Sequence, residues 1–262
     1  MPQYQEKATV VQVEQLSADN IRLTFDSPEI AAAAQPGQFV MIRTGTGKDP
    51  LLRRPFSIHQ TTSSGRIQIY FKVVGRGTEL LAHLRTDEKI SIFGPLGRGF
   101  RIIENTPVCI VGGGLGIAPM LFLAKRIRQM KKDCTEDLII LGGRDRTEVE
   151  PLIADFEQIG IRIATATDDG SFGRHGFVTE VFSVHDLPER CAVYCCGPEP
   201  MMAAMSVLCK KRHYPCQVSV ESVMACGMGA CLGCNRQTRD GSYAHVCLDG
   251  PVFDAEEMIW NI

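Results

Sequence analysis

Four cysteines constrain this chain more than anything else in it: Cys226-x4-Cys231-x2-Cys234-x12-Cys247, set among Gly227, Gly229 and Gly233. The first two gaps match the plant-type spacing of a [2Fe–2S] cluster, with the fourth thiolate arriving from further along. The glycines let the backbone turn tightly and aim N–H groups at sulfur. A structural zinc site usually pairs two short cysteine knuckles, and only Cys231–Cys234 has that spacing. The pattern therefore favours iron–sulfur, with zinc as the competing reading. Of the other seven cysteines, Cys196 falls in a turn motif taken up below, and Cys109, Cys134, Cys191, Cys195, Cys209 and Cys216 read as reduced thiols that mostly fill the core. An odd total of eleven in 262 residues is no small disulfide scaffold.

That cysteine usage points to a reducing cytoplasm, and other features agree. The segment from Met1 to Lys7 lacks a basic stretch followed by an apolar one, so no secretory signal is expected. No apolar run approaches the roughly 18 residues of a membrane helix, so no integral membrane contact is expected. With 28 basic and 30 acidic residues the net charge is −2, which gives no electrostatic case for nucleic-acid binding.

Two rhythms precede the cysteines. Residues 1–104 are β-rich. Val10–Val13, Ile21–Phe25, Phe39–Ile42, Ile67–Phe71 and Ile90–Phe93 are short β-branched or aromatic runs between turn-rich stretches, the signature of a barrel or sandwich. A short helix between Gly75 and Leu84 would place Leu80, Leu81 and Leu84 on one face. From about residue 105 to 215, strands at Val108–Val111, Leu138–Leu141, Ile161–Ala164 and Ala192–Cys195 alternate with helical patterns at Met120–Ile127 and near Glu150–Gln158. Such alternation predicts a parallel sheet with crossover helices. Residues 216–262 read as a third, small unit. The predicted architecture is thus an α+β multidomain chain: an antiparallel barrel, a central α/β nucleotide-binding domain and a small C-terminal [2Fe–2S] domain.

Three further motifs carry chemistry. Gly112-Gly113-Gly114-Leu115-Gly116-Ile117-Ala118-Pro119 follows a strand and opens a helix, where backbone amides can face a pyrophosphate. Proline stands where a dinucleotide fingerprint has its third glycine, and the first helical turn tolerates it. Cys196-Gly197-Pro198 follows the last hydrophobic strand, at the sheet edge where ligands bind in such folds. Arg54-Pro55-Phe56-Ser57 offers a guanidinium fork, and Gly75-Arg76-Gly77-Thr78 offers amides and a hydroxyl to the same anion. Taken singly, each also reads as ordinary strand, turn or helix-start residues. Gly45-Thr46-Gly47-Lys48 lacks the upstream glycine of a Walker phosphate loop.

Taken in order, R-P-F-S, G-x-G-T, G-G-G-x-G-x-x-P and C-G-P resemble the ferredoxin–NADP reductase superfamily. The tail narrows this: Ser219-x-Glu221-x-x-Met224-x-Cys226 through Cys234, then Cys247-x-Asp249-Gly250-Pro251-Val252-Phe253, closely resembles electron-transfer subunits of class 1B dihydroorotate dehydrogenases. The resemblance covers essentially the whole chain. It implies FAD in the barrel, NAD in the α/β domain and a [2Fe–2S] cluster on Cys226, Cys231, Cys234 and Cys247. Arg54, Pro55, Phe56 and Ser57 would meet the flavin and its phosphates, Tyr70, Phe71 and Lys72 the isoalloxazine, and Gly77 and Thr78 the pyrophosphate. Phe56 stands where many members have tyrosine. Gly112, Gly113, Gly114 and Gly116, with Cys196, Gly197 and Pro198, would shape the nicotinamide site. Thr167-Asp168-Asp169-Gly170 either walls the nucleotide or is a solvated turn.

The implied function is an oxidoreductase subunit of pyrimidine biosynthesis. It would pass electrons between NAD and an FMN-containing dihydroorotate dehydrogenase catalytic subunit, in a heterotetramer of two of each. No catalytic acid or base is singled out, since cofactors carry such chemistry. Rival readings are a related flavin/iron–sulfur subunit of an NAD(P)H-dependent ferredoxin or sulfur oxidoreductase, and a zinc-containing non-catalytic redox module. NAD against NADP is open: Arg144 suits a 2′-phosphate and Asp145 repels one. The tail Glu256–Ile262 holds the only tryptophan, Trp260, either at a partner interface or on the chain's own core.

Overall fold

The computed structural model describes residues 2–45, 47, 49–131 and 133–260. Six antiparallel strands, β1 (Tyr4–Gln15), β2 (Asn20–Asp26), β3 (Phe39–Ile42), β4 (Arg54–Thr61), β5 (Arg66–Lys72) and β6 (Lys89–Leu96), close a barrel in the order β1-β2-β5-β4-β3-β6. Alternation turns Leu23, Phe25, Ile58, Ile67 and Ile69 inward, all fully buried. Two short helices cover it, α1 (Pro28–Ala33) and α2 (Arg76–Ala82). Of the three leucines assigned to one buried face near α2, Leu81 is buried but Leu80 faces solvent. With only seven residues, the helix presents a single turn to the barrel.

The second layer is built from β7 (Val108–Gly113), β8 (Leu138–Gly143), β9 (Arg162–Thr167), β10 (Arg174–His175), β11 (Ala192–Cys196) and β12 (Cys216–Ser219), all parallel. Helices α3 (Met120–Met130), α4 (Arg146–Glu157), α5 (Val178–Val184) and α6 (Glu199–Lys211) cover its faces. Helix α4 begins before the Glu150 of the sequence reading, because Asp145 caps it by accepting the Thr147 N–H at 2.8 Å. The remaining strands are β13 (Asn235–Gln237), β14 (Tyr243–His245) and β15 (Val252–Asp254).

The full sheet runs β10-β9-β8-β7-β11-β12-β15, with β15 antiparallel. The expected boundary at 215/216 therefore falls inside a sheet: β12 pairs with β11, and β15 closes the edge after the cysteine-rich excursion. That excursion has little regular structure, and one side of it packs against both larger units. Phe39, Met41 and Leu96 of the barrel share one apolar core with Cys234, Val246, Cys247 and Met258. Trp260 packs on the same core, with the Arg236 guanidinium 5.7 Å above its ring. The core reading of Trp260 is the one this packing supports. Asn261 and Ile262 lie outside the described residues. Among the described residues, no helix is long and apolar enough to cross a membrane.

Polar contacts lock the barrel to the α/β layer. Arg22 of β2 pairs with Asp155 of α4 as well as with Glu14. His59 of β4 is completely buried, and its Nδ1 lies 2.6 Å from the Ala118 carbonyl just before α3. A carbonyl only accepts, so Nδ1 carries the proton and Nε2 is left bare, without a partner. Burial, the dominant effect, holds this imidazole down at about 4. The unfolded chain takes up that proton near its ordinary 6.5, so between pH 6.5 and 4 the unfolded state binds one proton more. Stability from this site should therefore be complete above pH 6.5 and fall as pH drops toward 4. Denaturant titrations at pH 7 and 4.5 should show wild type losing about 2–3 kcal/mol more than His59→Gln over that interval. Parallel losses would remove His59 from the account.

Candidate functional site

The sheet order reverses between β7 and β11, since the chain moves from β7 toward β8 on one side and returns to β11 on the other. Ligands in open α/β sheets bind in the crevice outside the strand ends at such a switch point. Both turn motifs of the sequence lie there: Gly112 faces Cys196 in the β7–β11 register, and Gly113 to Ile117 leave in a tight 3-10 turn. A Cβ on Gly116 would stand 2.2 Å from the Cys196 carbonyl oxygen, so only glycine lets the two turns touch backbone to backbone. Gly112, Gly116 and Gly197 form this seam. Gly113, Gly114 and Pro198 instead line a cavity of about 630 Å³, whose far wall is apolar with Phe177, Val178 and Met201.

A second cavity, of about 470 Å³, lies between barrel and sheet. Arg54 to Ser57 from β4, Tyr70 to Lys72 from β5, and Gly77 and Thr78 from α2 all line it. Phe56 packs against Phe71 with ring centres 5.4 Å apart, so the aromatic contact needs no phenol hydroxyl. The expectation for Thr78 changes: its hydroxyl donates to the Gly75 carbonyl at 2.8 Å and accepts the Val74 and Gly75 N–H groups. It closes its own turn, and its proton is not free for an anion.

The opposite wall holds residues that the motifs did not single out for this cavity: Ala118, Ser219, Glu221 and Met224, with Cys196 beside them. Burial, followed by the nearby Glu221 carboxylate, pushes the Cys196 thiol up to about 12, against a hydrogen bond to Ser219. Cys196 thus belongs to the cavity between the domains, beside the switch-point cavity. Lys72 and Leu115 line both cavities, which share a wall.

Charge is concentrated where the two cavities meet. Glu148 of α4 accepts the Arg144 backbone N–H at 3.0 Å and the Arg144 Nε and Nη2 at 2.9 and 2.6 Å. Lys72 Nζ stands 3.4 Å from the same carboxylate and 3.4 Å from Asp19. Burial opposes ionisation of Glu148, yet the Arg144 hydrogen bonds and charge hold its carboxyl below the usual range. In the 167–170 turn, Asp169 accepts from the Ser171 N–H and hydroxyl, and Thr167 bonds Phe172. Only Asp168 of that turn lines the switch-point cavity.

The four cysteines come together as two pairs. The Cys226 thiol is hydrogen-bonded with Cys231, and that of Cys247 with Cys234. Backbone N–H groups of Met228 and Cys231 point at the Cys226 sulfur, each at 3.4 Å, and Gly229 donates to Cys247 at 3.1 Å. Gly227, at φ +73, presses on Met41 of β3: a Cβ there would stand 2.5 Å from the methionine Cγ. Burial resists ionisation of Cys226, but the Met228, Cys231 and Ala230 donors outweigh it and bring the thiol down to about 7. Among the described residues, no three His, Cys, Asp or Glu side chains converge as ligands of a single ion. Two thiol pairs with N–H donors on sulfur fit two irons sharing a cluster better than one tetrahedral zinc.

Barrel, switch-point sheet and paired cysteines define the class: a flavin- and nicotinamide-binding oxidoreductase with an iron–sulfur domain. Family models agree segment by segment: an oxidoreductase FAD-binding domain over residues 7–100, an oxidoreductase NAD-binding domain over 110–206, and an iron–sulfur cluster binding domain of dihydroorotate dehydrogenase B over 221–259. The chain belongs to the family of electron-transfer subunits of dihydroorotate dehydrogenase B. A relative named dihydroorotate dehydrogenase B (NAD(+)), electron transfer subunit, from Desulforamulus reducens, is 37% identical over 97% of this chain and 98% of its own. A second of the same name from Caldanaerobacter subterraneus is 39% identical over 97% and 98%. Among solved structures, that of an NADH-dependent reduced ferredoxin-NADP oxidoreductase superposes with TM-score 0.84 at 27% identity, covering 97% of this chain and 90% of that one.

The cysteine geometry gives a direct expectation. Serine at Cys226, Cys231, Cys234 or Cys247 should remove the cluster's share of the visible absorption, leaving the flavin bands, and abolish the cluster's EPR signal in the reduced protein. Bound iron should fall from about two atoms per chain toward zero. Cys134→Ser, outside the cluster loop, should leave all three unchanged. Wild-type protein carrying one zinc, no iron and only flavin bands in the visible would sink the iron–sulfur assignment.

Proposed function

We propose that this chain carries electrons between NAD and an FMN-containing dihydroorotate dehydrogenase catalytic subunit, in cytoplasmic pyrimidine biosynthesis. The observation that carries this reading is contiguity. Lys72 and Leu115 are common to the nucleotide cavity and the interdomain cavity. Met224, which lines the interdomain cavity, precedes Cys226 by two residues, a chain span of at most roughly 7 Å. When bound, a flavin can exchange a hydride with nicotinamide and single electrons with an iron–sulfur cluster.

On this reading the chain's own residues position and insulate. Arg54 to Ser57, Tyr70 to Lys72, Gly77 and Thr78 hold FAD, with Ser219, Glu221 and Met224 closing the opposite side. Gly113, Gly114 and Pro198 hold the NAD phosphates, and the Gly116–Cys196 seam fixes that site against the flavin wall. Cys226, Cys231, Cys234 and Cys247 hold the cluster. The partner docks on the cluster loop, where Val223 is 90% exposed and Met228, Leu232 and Leu248 also face solvent around the exposed Cys231. Such an apolar rim suits a protein interface. A heterotetramer of two chains of each kind is the assembly we expect.

A second reading has a specific observation behind it: the 0.84 TM-score with the ferredoxin-NADP oxidoreductase structure. The chain would then serve an NADH-dependent ferredoxin-NADP oxidoreductase. The two part in one experiment. The isolated chain should oxidise NADH with an artificial acceptor and show no dihydroorotate turnover. Mixing it with the FMN subunit should give a complex on size exclusion and NAD-dependent orotate formation. Dihydroorotate oxidation by the isolated chain, or coupling only to ferredoxin, would overturn the first reading.

A further inference from the structure

The nucleotide cavity contains an arginine where a 2′-phosphate would be read, yet that arginine is already occupied. In doubly wound sheets, selection at the 2′ position is made beyond the strands that follow the glycine-rich turn: an acidic side chain bonds the ribose hydroxyl, or an arginine accepts the phosphate. Here Arg144, directly after β8, lines the cavity and by itself reads as a phosphate receptor. Its Nε and Nη2 both donate to Glu148 Oε1, at 2.9 and 2.6 Å, and its backbone N–H donates to Oε2 at 3.0 Å. The other cation on this cavity, Lys72, is 3.4 Å from the same carboxylate. Asp168 adds a second carboxylate to the lining. Asp145, the residue whose charge the sequence set against Arg144, is spent on the α4 cap, accepting the Thr147 N–H and hydroxyl at 2.8 and 2.6 Å.

We propose that Glu148 is the specificity-determining residue of this site: by engaging both Arg144 and Lys72 it leaves the cavity, among the described residues, no free cation for a 2′-phosphate, and so selects NAD over NADP. The inference rests on the reading of this cavity as the nicotinamide nucleotide site. The four charged side chains of the lining, Lys72, Arg144, Glu148 and Asp168, sum to a formal charge of zero. A 2′-phosphate entering there brings close to two negative charges and meets Glu148 before it can recruit a guanidinium. Part of the selection is therefore repulsive, and specificity of that kind disappears when the repelling group is neutralised. Glu148 is held from moving aside because its carboxylate is 13% exposed and bonded from two domains.

The test uses the FAD- and cluster-loaded protein. Calorimetry should show wild type binding 5′-AMP more tightly than 2′,5′-ADP, a readout that needs no electron transfer. Glu148→Gln should shift the NADPH-to-NADH ratio of kcat/KM toward NADPH by about tenfold or more, equivalent to about 1.4 kcal/mol. The added change Arg144→Ala should cancel that gain, because the freed guanidinium is what receives the phosphate. Three results would overturn the proposal: wild type preferring 2′,5′-ADP, an unchanged ratio in Glu148→Gln, or a gain that survives removal of Arg144. If Glu148→Gln fails to fold, the wild-type comparison of the two nucleotides still decides. Failure to bind either nucleotide would instead remove the nucleotide-site reading, and this inference with it.

Discussion

The seam between Gly116 and Cys196 is the contact on which the site depends. It sets two backbone turns, more than 70 residues apart in sequence, at a distance that no Cβ permits. Everything on the nucleotide side is referred to it. The glycine turn fixes the start of α3, whose preceding carbonyl at Ala118 binds His59 of the barrel, while the Cys196 turn starts α6 and lines the interdomain cavity. A second close approach, of the Gly227 backbone to the Met41 side chain, sets the cysteine loop against the barrel. Protein interiors are packed too densely to absorb an extra carbon at such points without displacing backbone. Two missing side chains thus fix the relative positions of three sites, and electron-transfer chemistry asks little more of a protein than position.

Much of this was legible in the sequence because its signals are local. The barrel strands and the parallel strands announced themselves as β-branched runs, and Phe39–Ile42 forms a strand over those same four residues. The cysteine spacing marked its loop, and the turn motifs marked the two ends of the switch point. What stayed hidden depends on contacts between distant segments. Strand β4 was partly masked because Arg54-Pro55-Phe56-Ser57 reads as a motif before it reads as a strand. Ser219 and Glu221 reach the interdomain cavity only because β12 joins the sheet beside β11, which no local periodicity reveals. The local partners of Thr78 and Asp145 were hidden for one shared reason. Both polar side chains find a backbone partner within three residues, and such local bonds outcompete a ligand.

The cavity charges follow the same logic one level up. Arg144 and Lys72 look like anion receptors from sequence, but Glu148 on α4 meets one from its own helix start and the other from across the domain boundary. An exposed i,i+4 pair alone contributes little. The third partner from the barrel turns it into a network spanning the cleft, which makes the cavity wall electrically neutral and joins the two domains at the place where the cavities meet. Electrostatics here define what the cavity refuses as much as what it holds.

The cysteines show how one residue type serves two ends. Cys109 of β7 and Cys195 of β11 lie in interior strands, and burial pushes their thiols well above the ordinary value. Cys191 is driven the same way by burial and then the Cys209 thiol, and Cys216 by its hydrogen bond with Cys209 and then by burial. Strand N–H groups are consumed by the sheet ladder, so none remains to stabilise a thiolate, and these residues behave as small apolar side chains. The loop from Cys226 to Cys234 has almost no ladder, and its amides are free to turn inward onto sulfur. Hence Cys226 is brought down to about 7 while Cys247, deeper and paired with Cys234, is pushed up to about 12. A buried thiol pair of that kind ionises only with a cation to compensate, and metal binding releases the protons. The contrast between loop and core thiols follows from backbone geometry: an irregular loop keeps its N–H donors for sulfur, and a sheet does not.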